Sequence, residues 1–227
     1  VLESKILSVD PMLFTKAELE ELGVESSPAL LALIEDIEAE LDEITSQVVA
    51  RVDETLNGER ADVRTRMTNL GRMITQSMLD LSGADVALMN GGGIRTSISA
   101  GDVTVGDVIS VLPFGNTVTV IEVTGEDLYE MMEHGLSVLP EQNGGYPHIA
   151  GMQAVINRNA EPGSRVFRLR VNNRAVDRNA TYTLVTNDFL AAGGDAYTML
   201  EGKPTVAEYG TLDEVFMDYL RERYPLR

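Results

Sequence analysis

Val166-Phe167-Arg168-Leu169-Arg170-Val171-Asn172-Asn173 is the stretch that decides the fold class. Its first six residues read as a strand. The two asparagines suit a tight hairpin-like turn, because asparagine tolerates the left-handed backbone that such turns need. Working outward, a strand is predicted over 152–157 on one side and another over 182–186 on the other. Strands at hairpin spacing, mixed with helices, give an α+β fold of mixed sheets with flanking helices. A doubly wound parallel sheet would alternate strand and helix more regularly.

Further from this centre the pattern stays mixed. Helices are predicted over 69–81, 125–138 and 211–223, strands over 85–89 and 117–123, and a short strand and helix over 103–112. Upstream, Ser27-Pro28 reads as a helix start, and Leu30, Ile34, Ile37, Leu41, Ile44, Val48 and Val52 form one apolar stripe. Their three- and four-residue spacing predicts a long amphipathic helix over 28–56, stopped at Asn57-Gly58. Residues 1–26 read as loosely structured, with a short helical stretch over 16–22. The chain thus divides into an N-terminal segment with connector helix, 1–57, and a body, 58–227.

Charge follows the same boundary. The net charge is -18. Residues 1–60 hold fifteen acids against four bases, and residues 61–227 hold twenty-one against fourteen. So acidic a chain lacks the basic surface a nucleic-acid polymer requires. No apolar run approaches the length of a membrane span. With no cysteine there is no disulfide framework, thiolate metal site or cysteine nucleophile. The two histidines, His134 and His148, stand without a second ligand at metal-binding spacing. The start at Val1 shows neither a methionine nor a signal-peptide pattern, and reads as a piece cut from a longer protein.

Three local patterns point to ligand chemistry. Asn90-Gly91-Gly92-Gly93-Ile94-Arg95 follows a predicted strand. Its glycines let backbone approach a ligand, and Arg95 stands beside the opening. No Lys-Ser or Lys-Thr follows, so it is not a Walker loop. Leu112-Pro113-Phe114-Gly115-Asn116 and Asn187-Asp188-Phe189, with Gly193-Gly194-Asp195 beyond, each place one of five phenylalanines beside loop glycines. Arg60 and Arg64 share a face if their stretch is helical, with the planar fork that phosphates match. Each pattern taken singly also fits a plain structural role: a sharp turn, a core phenylalanine, a salt-bridged arginine.

As an ordered set, these stretches resemble the C-terminal domain of the 5'-nucleotidase family, bacterial type. Val63-Arg64, Thr68-Asn69-Leu70-Gly71-Arg72, Gly83-Ala84-Asp85, Gly101-Asp102 and Gly144-Gly145-Tyr146-Pro147 complete the set, over about residues 58–224. The resemblance implies the substrate-binding half of a two-domain hydrolase of nucleoside monophosphates, with UDP-sugars or cyclic nucleotides as further candidates. It implies that Phe114 and Phe189 sandwich the base, Asp195 accepts from ribose hydroxyls, and Asn116 reaches the base or ribose edge. Arg60, Arg64 and Arg95 would hold phosphates, with Asn90, Gly92 and Gly93 lining the loop. No catalytic residue or metal ligand is assigned to this chain. Two divalent metal ions are expected in a separate N-terminal metallophosphatase domain, so this fragment alone is expected to be inactive. The implied setting is periplasmic or extracellular, with a signal peptide upstream. Two other readings are a related sulfur-oxidation hydrolase domain and a stand-alone nucleotide-binding module. The first has no need of two base-stacking phenylalanines.

Overall fold

The computed structural model describes Ile37, Ala39 and residues 41–226. The helical stretch expected over 16–22 and most of the connector expected over 28–56 lie outside the described residues. Residues 41–45 are helical, but the helix does not continue to 56 as its stripe suggested. Val48–Val52 instead forms strand β1, antiparallel to β3, Gly101–Thr104. The four-residue spacing of Ile44, Val48 and Val52 also satisfies a two-residue period, and β-branched valine favours the strand. Val49, Ala50 and Val52 are all buried there.

The compact unit that begins at Thr45 is built on a five-stranded sheet ordered β10-β4-β9-β2-β5. Its strands are β2 (Val86–Asn90), β4 (Thr117–Thr124), β5 (Pro147–Ala150), β9 (Thr181–Asn187) and β10 (Thr205–Thr211). Only β2 and β9 run parallel; the other three pairings are antiparallel. An antiparallel sheet of β6 (Met152–Ile156), β7 (Val166–Val171) and β8 (Arg174–Ala175) stands beside it. The asparagine pair forms the predicted turn, with Asn172 and Asn173 at φ 50° and 62°. The hairpin's second arm is only the two-residue β8, and the strand predicted at 182–186 belongs to the larger sheet as β9.

Two cores sit on opposite faces of the large sheet. Ala87, Met89, Val118, Val120 and Val185 face one, with Leu70, Ile74 and Met78 of α2 (Asn69–Ser82) and Phe216 and Leu220 of α6 (Leu212–Arg223). Val86, Leu88, Ile121, Val123 and Leu184 face the other, with Leu128 and Met131 of α4 (Gly125–Leu136). β2 is buried at every position, which explains its unbroken apolar run.

Several helices start where polar side chains satisfy free backbone donors. Thr104 with Asp107 opens α3 (Val105–Val111), and Thr124 with Asp127 opens α4, each as a reciprocal capping box. Thr68 caps α2, and Gly83 closes it in the left-handed conformation at φ 64°. The two remaining short helices, α1 (Arg60–Val63) and α5 (Asp188–Ala191), matter because of the residues they carry to the site.

Candidate functional site

A cavity of about 600 Å³ opens where β2 and β9 end, a size that suits a small-molecule ligand. Its floor is the tight turn Gly91–Gly93 that follows β2. Backbone donors of Gly91 and Gly92 reach the carbonyls of Tyr146 and Gly144 at 2.8 and 2.7 Å. A side chain at Gly91 would put its Cβ 2.0 Å from the Val63 carbonyl oxygen, so only glycine lets the turn pass against α1. That contact sets the neighbouring Arg64 at the cavity wall.

Arg64 and Arg95 bring positive charge to the lining. Burial, then Arg60 and Arg95 nearby, draw the Arg64 guanidinium below its usual range, while Asp195 opposes the shift. Arg95 donates to the Gly92 carbonyl at 3.3 Å and lies 5.6 Å from the centre of the Phe114 ring. Arg60, at the exposed start of α1, is not among the lining residues; its charge bears on Arg64.

Phe114 and Phe189 both line the cavity, and they are 59% and 44% exposed. Large aromatic side chains usually bury most of their surface, and these two rings give the opening an apolar, aromatic face. The Asn116 amide donates at 2.8 Å to Asp188, whose same oxygen accepts from the Phe189 backbone at 2.9 Å. The two phenylalanine loops are therefore tied together. Gly194 seats the Phe189 ring, since a Cβ there would fall 2.6 Å from two ring carbons.

Asp195 completes the lining. Its backbone is left-handed at φ 50°, as is that of Ala196 at φ 62°. Its carboxylate accepts from Asn90 Nδ2 at 2.7 Å, and its carbonyl accepts from His134 Nε2 at 2.8 Å. Behind it, fully buried Tyr197 donates to the Gly145 carbonyl at 2.5 Å, and burial pushes its phenol far above the ordinary range.

The structure brings Arg64, Asn90, Gly92, Gly93, Arg95, Phe114, Asn116, Phe189 and Asp195 to one cavity and leaves Arg60 outside the lining. Gly144 also lines it and was missed as a site residue, although its glycine pair was a visible signal. Of the two readings open to His148, solvated or structural, the second holds: it is fully buried and donates from Nε2 to the Val63 carbonyl at 2.9 Å. Among the described residues no group of three or more histidines and carboxylates is placed to hold a metal ion.

Such a fold, with its ligand cavity at the strand ends of a mixed sheet, defines a small-molecule-binding domain. Residues 48–202 match the family model of the 5'-nucleotidase C-terminal domain, and the chain belongs to that family. The trifunctional nucleotide phosphoesterase protein YfkN of Bacillus subtilis (strain 168) is 35% identical over 208 residues, covering 87% of this chain and 14% of that protein. Protein UshA of Escherichia coli (strain K12) is 37% identical over 185 residues, covering 80% of this chain and 32% of that protein. The crystal structure of a 5'-nucleotidase precursor from Thermus thermophilus superposes with a TM-score of 0.78 at 38% identity, covering 88% of this chain and 40% of that one. The chain spans no more than about a third of either curated relative's length.

Proposed function

We propose that this chain is the nucleotide-binding part of a two-domain, metal-dependent phosphoric ester hydrolase of the 5'-nucleotidase type. One observation carries the reading: two exposed phenylalanines, an aspartate and two arginines line a single cavity. In it Phe114 and Phe189 sandwich a base, which tolerates different bases because each has a π-face. Asp195 accepts from ribose hydroxyls, and Asn116 reaches the base or ribose edge. Arg64 and Arg95 hold phosphate through planar forks, with Arg60 adding charge. The glycine turn with Asn90 lets backbone come close to the ligand.

The reading assigns two divalent metal ions to a separate N-terminal metallophosphatase domain, which supplies the activation of water. This chain binds the substrate and orients its phosphate ester. The residues before the compact unit lead from that domain, and the protein works in the periplasm or outside the cell. Among the described residues no helix is long and apolar enough to cross a membrane.

Calorimetry with adenosine and AMP tests the binding mode. Phe114→Ala and Phe189→Ala should each cost about 1–3 kcal/mol of affinity, roughly 5- to 150-fold in Kd. Unchanged affinity in both folded variants rules out the sandwich. The chain alone should hydrolyse neither AMP, UDP-glucose nor a cyclic nucleotide with added manganese or cobalt. Turnover that co-purifies with it and vanishes on Arg95 substitution would contradict the division of labour.

A further inference from the structure

Asn187 ends β9 and caps α5, and it is 1% exposed. It does not line the cavity, yet three side chains that do are oriented through it. Its Oδ1 accepts from the Leu190 backbone at 2.8 Å. A backbone N–H can only donate, so the atom facing it must be the amide oxygen. The amide nitrogen is thereby turned the other way, 3.2 Å from Asn90 Oδ1 and 3.3 Å from the Met89 sulfur. An amide nitrogen also only donates, so Asn90 must present its oxygen here and its nitrogen to the opposite side. There Asn90 Nδ2 meets Asp195 Oδ2 at 2.7 Å. One backbone donor in α5 thus settles two side-chain amides in succession and aims an amide hydrogen at the Asp195 carboxylate.

We propose that Asn187 is a positioning residue of this site: through Asn90 it fixes how Asp195 offers its second carboxylate oxygen to the ligand, and through its cap it holds the short helix that carries Phe189. The proposal rests on the reading that the cavity takes a ribonucleoside. The arrangement is economical in donors and acceptors. The Asn187 nitrogen has two hydrogens and two acceptors, and its oxygen has one donor. A buried amide so fully matched cannot flip without leaving a donor against a donor or an acceptor against an acceptor.

Asn187→Asp separates orientation from folding. At a pH where it is ionised, the nearly isosteric carboxylate keeps the acceptor for Leu190 but loses the donor to Asn90, placing oxygen against oxygen, so the comparison is made at about pH 8 and above. Asn90 then turns, and its oxygen faces Asp195. Asn187→Ser provides a second variant, with a hydroxyl able to cap α5 but too short to reach Asn90. Calorimetry compares adenosine with 2',3'-dideoxyadenosine. The wild-type chain should prefer adenosine by about 10-fold or more, as expected for hydrogen bonds to a charged acceptor. In both variants that ratio should fall towards one, with 2',3'-dideoxyadenosine affinity changing by less than about 3-fold for retained stacking. A structural defect alone would lower both affinities together, and an unchanged ratio overturns the proposal. A second measurement needs no ligand. The Asn90 side-chain amide resonances of the free chain should move in Asn187→Asp and in Asp195→Asn, and resonances unmoved in Asn187→Asp also overturn it. If the wild-type chain shows no preference for adenosine, the assignment of Asp195 to ribose fails, and the resonances alone decide the positioning of Asn90.

Discussion

His148 lies on β5 opposite Met89 of β2, wholly out of water. Its Nε2 donates to the Val63 carbonyl, its Nδ1 has no partner among the described residues, and Gly71 crosses so close that a Cβ there would stand 2.0 Å from Nδ1. A proton added at Nδ1 would bring an unsolvated charge with nothing to receive its hydrogen bond. Burial therefore pushes the imidazole from its ordinary 6.5 down to about 4, with the Val63 bond opposing only in part. An unfolded chain takes up this proton near pH 6.5, the folded chain only near pH 4. Between those values the unfolded state holds more protons, so stability falls as pH falls. The loss relative to pH 8 is about 2 kcal/mol at pH 5 and about 3 kcal/mol at pH 4.

Urea unfolding at pH 8, 6 and 5 measures this directly, compared with His148→Gln. The variant should be less stable at pH 8, because it loses the bond to Val63, but its stability should change little from pH 8 to 5. His134 is common to both proteins and cancels in the comparison. The carboxylates are common to both proteins too: hydrogen bonds from Arg66 and then Asn57 hold Asp62 at about 2, and in Asp127 burial acts upward but the bonds from Lys203 and Thr124 outweigh it and lower the carboxyl. Their contribution is lost only as pH falls below the ordinary 3.8. Equal pH slopes in the two proteins would refute the argument that His148 is folded as a neutral ring.

Two further outcomes follow from the arginines and from the glycine turn. AMP should bind more tightly than adenosine, salt should narrow the gap by screening, and Arg95→Lys should narrow it further, since lysine offers no planar fork; equal wild-type affinities would count against a phosphate site. Gly91→Ala must push the turn away from the Val63 carbonyl and should cost about 1–3 kcal/mol in unfolding experiments while weakening AMP binding through Arg64, so an alanine variant of unchanged stability would refute the close approach.

Much of the architecture was legible because local signals agreed with it. The unbroken apolar run marks β2, buried on both faces, and the asparagine pair marks the turn after β7; the capping pairs Thr104/Asp107 and Thr124/Asp127, unread in the sequence, set the starts of α3 and α4. β1 was missed because a valine-rich strand can carry a helix-like spacing. β5 was missed because proline and histidine break a run of four residues, and β10 because its exposed edge carries Glu208 and Gly210 among its apolar residues. The site residues were legible mainly through family resemblance, helped by glycines flanking each loop. Asn187 was visible in its motif, but nothing in sequence says that a buried amide ninety-seven positions from Asn90 will orient it. Such register is a property of β2 and β9 lying side by side.

The backbone of Asp195 and Ala196 carries the last step. Both are left-handed, a conformation that costs roughly 1–2 kcal/mol in most residues with a Cβ, Ala196 among them, and less in an aspartate. Two glycines stand immediately before them, so glycine was open to this loop wherever a turn alone was wanted. A carboxylate at position 195 is held there against that cost, by Asn90 on its side chain and His134 on its carbonyl. Each of those bonds comes from a different element, β2 and α4, and neither is needed to close the turn. The left-handed pair begins at the carboxylate that lines the cavity, so the backbone there holds Asp195 in one fixed geometry. Replacing Asp195 with glycine should on this reasoning leave the loop intact or steadier while removing the acceptor, separating stability from ribose preference at one position.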